Sequence, residues 1–139
     1  MFKKIGMTLM SGIGGSLGVL YGGAYIAAAK LVHSKEFINI SLLNDIFKAE
    51  VDSIMSRGKC KPGDKTMLDS LFTAYTALND NINNSDIISV LNNVKEQAIL
   101  GAENTKDMEA VKGKASYQTN KGVGIYTMEL LQCHTKLKN

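Results

Sequence analysis

Residues 5–29 contain no charged side chain, yet seven of the chain's 13 glycines, Gly6, Gly12, Gly14, Gly15, Gly18, Gly22 and Gly23, fall within them. Glycine costs about 1 kcal/mol relative to alanine in a helix interior, so one unbroken helix through this run is penalised at several positions. Two readings follow. Lys3 and Lys4 stand before the run, Ala27, Ala28 and Ala29 offer a small-residue cleavage site, and Gly14, Gly18 and Gly22 recur every fourth residue. Those features suit a signal peptide or a membrane helix with a smooth packing stripe. The other reading is a short helix, a glycine loop, and a second helix that starts near Ser16 or Leu17 and runs through Tyr25, Ala28 and Leu31. In that reading the loop exposes backbone N–H groups at a helix start, which suits a phosphate, or else the glycines only let two helices pack closely.

Beyond His33 the apolar spacing is helical. Ser41 is expected to cap a helix carrying Leu42, Ile46, Phe47, Val51, Ile54 and Met55 and ending at Gly58. A polar turn with Pro62, the only proline, follows. Asp64 is then expected to cap a helix with Met67, Leu68, Leu71, Phe72, Tyr75 and Leu78 on one face. Ser85 opens another with Ile88, Leu91, Val94 and Ala98, and a last one is predicted from Thr105 through Met108 and Val111. No segment alternates with period two and no Asn-Gly or Asp-Gly hairpin turn occurs, so the fold class is all-α.

At 139 residues the chain makes one domain. Its net charge of +3 is spread thinly, aromatic residues are 6% and tryptophan is absent, which argues against a nucleic-acid surface. Cys60 and Cys133 form no CxxC pair, and His33 and His134 are isolated, so neither a disulfide framework nor a zinc site is indicated. Known phosphate loops fail when tested literally. Gly58-Lys59 is followed by Cys60 and Gly113-Lys114 by Ala115, where a P-loop needs Ser or Thr. A dinucleotide fingerprint on Gly12 and Gly14 needs glycine where Leu17 stands. Asp64 and Asp69 lie five apart and do not share a helix face; they read as an N-cap and a solvated position.

Three stretches, in order, resemble the L subunit of dihydroxyacetone kinase, the nucleotide-binding partner in the phosphotransferase-dependent enzyme. GMTLMSGIGGSLGVLYG at residues 6–22 is similar to that family's GMTLxSxxGGASGPLYG loop. SRGKCKPGDKTMLDSL at 56–71 follows RGKAxPGDKTMLDxL, and KGKASY at 112–117 is similar to KGRASY. The resemblance implies an antiparallel helical barrel that binds ADP or ATP with Mg²⁺ at one end and relays a phosphoryl group to dihydroxyacetone held on a K subunit. A phosphotransferase M subunit is a further implied partner, and the setting is cytoplasmic, with neither membrane nor nucleic acid. By residue match, Gly14, Gly15, Ser16, Leu17 and Gly18 form the phosphate loop, Gly58 and Met67 line the adenine pocket, and Lys114 stands where the family has a nucleotide-contacting arginine. Thr66 and Asp69 shape that pocket.

Departures accompany the match. The family's GDxDHGxNM segment, whose aspartates bind both metal ions, has no equivalent in these 139 residues. Leu17 replaces a loop serine, Val19 a proline, and Lys114 exchanges a planar fork for a point charge. Thr127, Met128 and Glu129 stand where DPG is expected. The expectation is a single domain over 1–139 of five to seven helices, incomplete relative to the family's eight-helix barrel, shortened or degenerate, without its metal-binding segment and weak or inactive alone.

Overall fold

The computed structural model describes residues 1–126. Five α-helices follow one another: α1 (Phe2–Gly12), α2 (Gly15–Leu31), α3 (Ile40–Gly58), α4 (Met67–Asp80) and α5 (Ile87–Asn104), with short 3-10 turns at Thr105–Asp107 and Lys114–Tyr117. No strand occurs among the described residues, and the fold class is all-α. Each helix packs on its chain neighbour, α1 on α2 through to α4 on α5. Contacts that descend one helix while ascending the next make every pair antiparallel: Gly6 and Gly18 of α1–α2 approach Gly22 and Leu9, and Ser70 and Thr73 of α4 bond the carbonyls of Ala98 and Gln97 on α5. No comparable packing closes α1 onto α5 among the described residues, so the helices form an open row.

The glycine run resolves as helix, turn, helix, with Ile13 and Gly14 between α1 and α2. No helix of the described residues is long and apolar enough to cross a membrane. The core has two centres. One gathers Ala24, Val51, Ile54, Cys60, Met67 and Leu68, with Leu17, Leu20 and Tyr21 of α2 packed against it. The other gathers Ala74, Ala77, Leu78, Val90 and Val94, flanked by Ile40, Leu43 and Phe47. Ile54, Leu68 and Leu78 are wholly buried; each such side chain contributes roughly 1.5–3 kcal/mol through removal from water.

Helix starts differ from the expected caps by one or two residues. Asn39, not Ser41, caps α3, its Oδ1 accepting the Leu42 N–H at 2.8 Å; the earlier start brings Ile40 to the second core. Gly58 stays inside α3, and Lys59 takes the left-handed position after it (φ 50°). Asp64 does not cap α4, because its carboxylate turns back to accept the Lys61 N–H at 3.0 Å across the proline turn. Thr66 caps α4 instead. Asp86, one residue after Ser85, caps α5 by accepting the Ser89 N–H at 3.1 Å; a carboxylate gains there from the positive end of the helix dipole. The predicted face of α5 is rotated: Val90 and Val94 are buried, whereas Ile88 is 75% exposed and Leu91 44%. The helix expected from Thr105 to Val111 is only the turn Thr105–Asp107, after which Met108 is extended.

Candidate functional site

The antiparallel order sends the C-terminus of α1, the N-terminus of α2, the C-terminus of α3, the N-terminus of α4 and the C-terminus of α5 to one end of the row. All three sequence stretches singled out above meet there.

The first stretch divides by role. Gly14 is the N-cap of α2 with extended backbone (φ −69°, ψ 160°), and Gly15 begins the helix at φ +76°. A methyl group built on either would meet nothing within 4 Å, so both face open space. Ser16 is exposed beside them. No side chain caps this helix start and no acidic residue lies in its first turn, unlike α3, α4 and α5, which carry side-chain caps. The first N–H groups of α2 thus keep their donor capacity and partial positive charge. Leu17 is half-buried and packs into the first core, and Gly18 is buried because any methyl there would strike the carbonyls of Ile13 and Leu9. Gly6 and Gly22 are likewise closed in, each Cβ position lying 2.7 Å from the other's carbonyl oxygen. The run therefore divides: Gly6, Gly18 and Gly22 let α1 and α2 touch, while Gly14 and Gly15 leave backbone open.

The second stretch forms the loop between α3 and α4. Gly58, half-buried, sits where a methyl would lie 3.4 Å from Leu20 Cδ2 and 3.0 Å from Cys60 Sγ, which joins it to α2. Met67, 5% exposed, is packed in the first core with Cys60 and Leu68. Asp69, expected on a solvated face, is 4% exposed; its carboxylate accepts the Thr66 N–H at 2.7 Å and the Gly63 N–H. Thr66 Oγ1 accepts the Leu68 N–H at 3.1 Å, completing a capping box. Burial pushes the Cys60 thiol up, opposed by a hydrogen bond with Thr66 and the charge of Lys112.

The third stretch arrives on the segment after α5. Lys112 Nζ donates to the Gly58 carbonyl at 3.5 Å, and the Val111 N–H to the Asp64 carbonyl at 3.4 Å. The backbone of Lys114 begins the turn Lys114–Tyr117 after Gly113 at φ +74°. The Lys114 side chain, and Thr127, Met128 and Glu129, lie outside the described residues.

Sequence reasoning missed Lys65. It is 3% exposed, adopts φ +58°, and its Nζ donates to the carbonyls of Thr105 and Ile125. Burial lowers its pKa, partly countered by the Asp107 carboxylate. Its only sequence signal is its place inside GDKTMLD, because a lysine in a polar turn ordinarily reads as solvated.

Among the described residues no group of three or more His, Cys, Asp or Glu is placed to hold a metal ion. The Mg²⁺ implied by the resemblance therefore finds no site of three such side chains among the described residues. Two open depressions run along α1, lined by residues such as Met1, Lys4, Ile5 and Thr8, and none of the expected site residues lines them.

The family profile described as "DAK2 domain" matches residues 1–126. The ADP-binding subunit DhaL of the PEP-dependent dihydroxyacetone kinase of Escherichia coli (strain K12) is 34% identical over 123 residues, 88% of this chain and 59% of that protein. The corresponding subunit of kinase 1 of Listeria innocua is 36% identical over 123 residues, 88% of this chain and 57% of that protein. The human triokinase/FMN cyclase is 36% identical over 118 residues, 84% of this chain and 20% of its own length. The chain thus spans 57% to 59% of the two bacterial relatives.

Proposed function

The chain belongs to the DAK2 domain family, and on that premise we propose that it is a nucleotide-binding L-type subunit of a dihydroxyacetone kinase, holding ADP or ATP at the glycine end of its helix row. One observation carries the reading. The uncapped, open start of α2 at Gly14 and Gly15 lies at the same end as Gly58 and the segment bearing Lys112. Backbone N–H groups at a helix start and lysine ammonium groups are complementary to phosphate oxygens. In this reading Gly14, Gly15 and Ser16 receive the phosphates, Leu17 and Gly18 fix the turn beneath them, Gly58 and Met67 form the floor near the base, and Lys114 supplies charge from the third stretch. The nucleotide relays a phosphoryl group towards dihydroxyacetone on a K subunit, with a phosphotransferase M subunit as donor, in the cytoplasm. Electrostatic stabilisation dominates such transfers, and among residues 1–126 no group of three or more His, Cys, Asp or Glu is placed to hold a metal ion, so a weak or absent activity of the isolated chain is part of the proposal.

A second reading is a helical nucleotide-binding or subunit-docking module without catalysis. It is favoured by the apolar side chains left open on the outer helices of the row, Met7 and Met10 on α1 and Ile88 and Leu91 on α5. Titration calorimetry with ADP, with and without Mg²⁺, separates the two. Metal-dependent binding with a Kd on the order of micromolar, about −8 kcal/mol, supports the kinase-subunit reading. No heat of binding with the protein at about millimolar concentration, where even a −4 kcal/mol interaction registers, overturns it and leaves the docking module.

A further inference from the structure

We propose that Lys65 is a positioning residue, a buried ammonium clamp that closes the 105–125 segment and so sets where residues 112–117 stand against the glycine end. The role in ligand binding rests on the nucleotide reading above; the clamp itself does not.

The geometry is that of a tied loop. Lys65 Nζ donates to the Thr105 carbonyl, at the exit of α5, and to the Ile125 carbonyl at 2.7 Å, so one ammonium joins the two ends of the segment. Two carbonyl oxygens side by side repel each other unless a donor lies between them, and a lysine offers three N–H bonds in one point charge. Further ties stack above this base: the Gly124 N–H donates to the Lys106 carbonyl at 2.8 Å and the Ala110 N–H to the Lys121 carbonyl at 2.9 Å. Gly122, at φ +72°, passes directly over the lysine stem, and a methyl on it would lie 3.4 Å from Lys65 Cε and 3.2 Å from Ala115 Cβ. The two cross-contacts to the α3–α4 loop, Val111 to Asp64 and Lys112 to Gly58, belong to this same segment.

A lysine is costly here. Removing an ammonium from water carries a penalty that carbonyl dipoles only partly repay, and the left-handed backbone at Lys65 adds strain that a non-glycine residue ordinarily avoids. Neighbouring positions in the loop are satisfied without it, since Asp64, Thr66 and Asp69 already cap and tighten the turn. What the lysine side chain adds is a direct tie from this loop to both ends of the distant segment. Lys65→Met keeps much of the stem and removes the donor, taking the ammonium from the part-buried Ile125 carbonyl and leaving the Thr105 carbonyl only the Met108 N–H.

The test uses the full chain and two readouts, peptide-resolved amide hydrogen exchange and ADP titration. In Lys65→Met, amides of residues 108–124 are expected to exchange at least about tenfold faster, with α3 and α5 unchanged, and the Kd for ADP to rise about tenfold or more, equivalent to about 1.4 kcal/mol. A loop that stays protected overturns the clamp. A freed loop with unaltered ADP affinity overturns the positioning role. If the unaltered protein does not bind ADP, the nucleotide reading fails by itself, and exchange still decides the clamp. Should Lys65→Met not fold, Gly122→Ala disturbs the same contact from the loop side with the ammonium retained; it must loosen residues 108–124 in the same way, and unchanged exchange there overturns the proposal.

Discussion

Asp69 and Thr66 bond each other across the first turn of α4: the Asp69 carboxylate accepts the Thr66 N–H at 2.7 Å, and Thr66 Oγ1 accepts within the same turn. Asp69 also holds the Gly63 N–H, so one carboxylate fixes both the helix start and the loop that joins it to the end of α3 at Gly58. Asp69→Ala leaves buried donors unpaired and is expected to cost about 2–3 kcal/mol, against about 1 kcal/mol for Thr66→Ala. Because the two act on one cap, the double variant should lose less than the sum. Urea denaturation of the four proteins measures this; strict additivity would mean that the box does not act as a unit.

Glycines that look alike in sequence should respond with opposite signs. A methyl at Gly18 meets the backbone carbonyls of Ile13 and Leu9, whereas one at Gly12 meets nothing within 4 Å. Backbone cannot give way as a flexible side chain can, so Gly18→Ala is expected to destabilise by about 2 kcal/mol or more. Gly12→Ala, in the last position of α1, should stabilise by a few tenths to about 1 kcal/mol through helix propensity and a less flexible unfolded chain. Thermal melts followed by circular dichroism give both; a stabilised Gly18→Ala would mean that α1 and α2 are not seated on each other as described.

Glu50 gives the stability a pH dependence. Burial raises its pKa to about 7 from 4.5, and its proximity helps raise the pKa of Tyr25 on α2. The folded form holds the proton more tightly than the unfolded one, so ionisation opposes folding. No penalty exists below the unfolded pKa; it grows as pH rises from the unfolded value towards the folded one and is complete above it. Glu50→Gln should match the parent near pH 4 and exceed it by on the order of 1–3 kcal/mol near pH 8. Denaturation midpoints at the two pH values decide it, and a gap that shrinks with rising pH contradicts the assignment.

The glycine run was legible as helix, turn, helix because charge-free spacing and helix-breaking density act locally. Which glycines touch a neighbour was not, since Gly18 and Gly14 differ only through the register of α1 on α2. The caps were missed by one or two residues for a related reason: Asn39 and Ser41, Asp64 and Thr66, and Ser85 and Asp86 are all competent capping types. Tertiary packing selects among them, as when an earlier start lets Ile40 reach the second core. The predicted helix beyond Thr105 failed on a long-range contact. The Thr105 carbonyl accepts from Lys65 and from the Met108 N–H, and so is not left to a continuing helix. The motif match picked out stretches that the fold brings to one end, while the burial of Met67 and Asp69 and the hydrogen bonds of Lys65 required coordinates.

Gly14 offers the sharpest separation of fold from function. Its extended backbone and open surroundings accept any side chain, and aspartate or asparagine at an N-cap is better than glycine by a few tenths of a kcal/mol, with a further gain for the charge at the positive helix end. Gly14→Asp and Gly14→Asn should therefore both raise the melting temperature. They should differ in binding. The new carboxylate occupies the N–H groups proposed for the phosphates and repels their charge, so the Kd for ADP should rise about tenfold or more, a cost near 1.4 kcal/mol or above. The neutral amide competes for the same donors without the repulsion and should weaken binding less. Parent, Asn and Asp proteins that melt in the expected order yet bind ADP equally would place the phosphates elsewhere, and stability and affinity moving in opposite directions would place them at the start of α2.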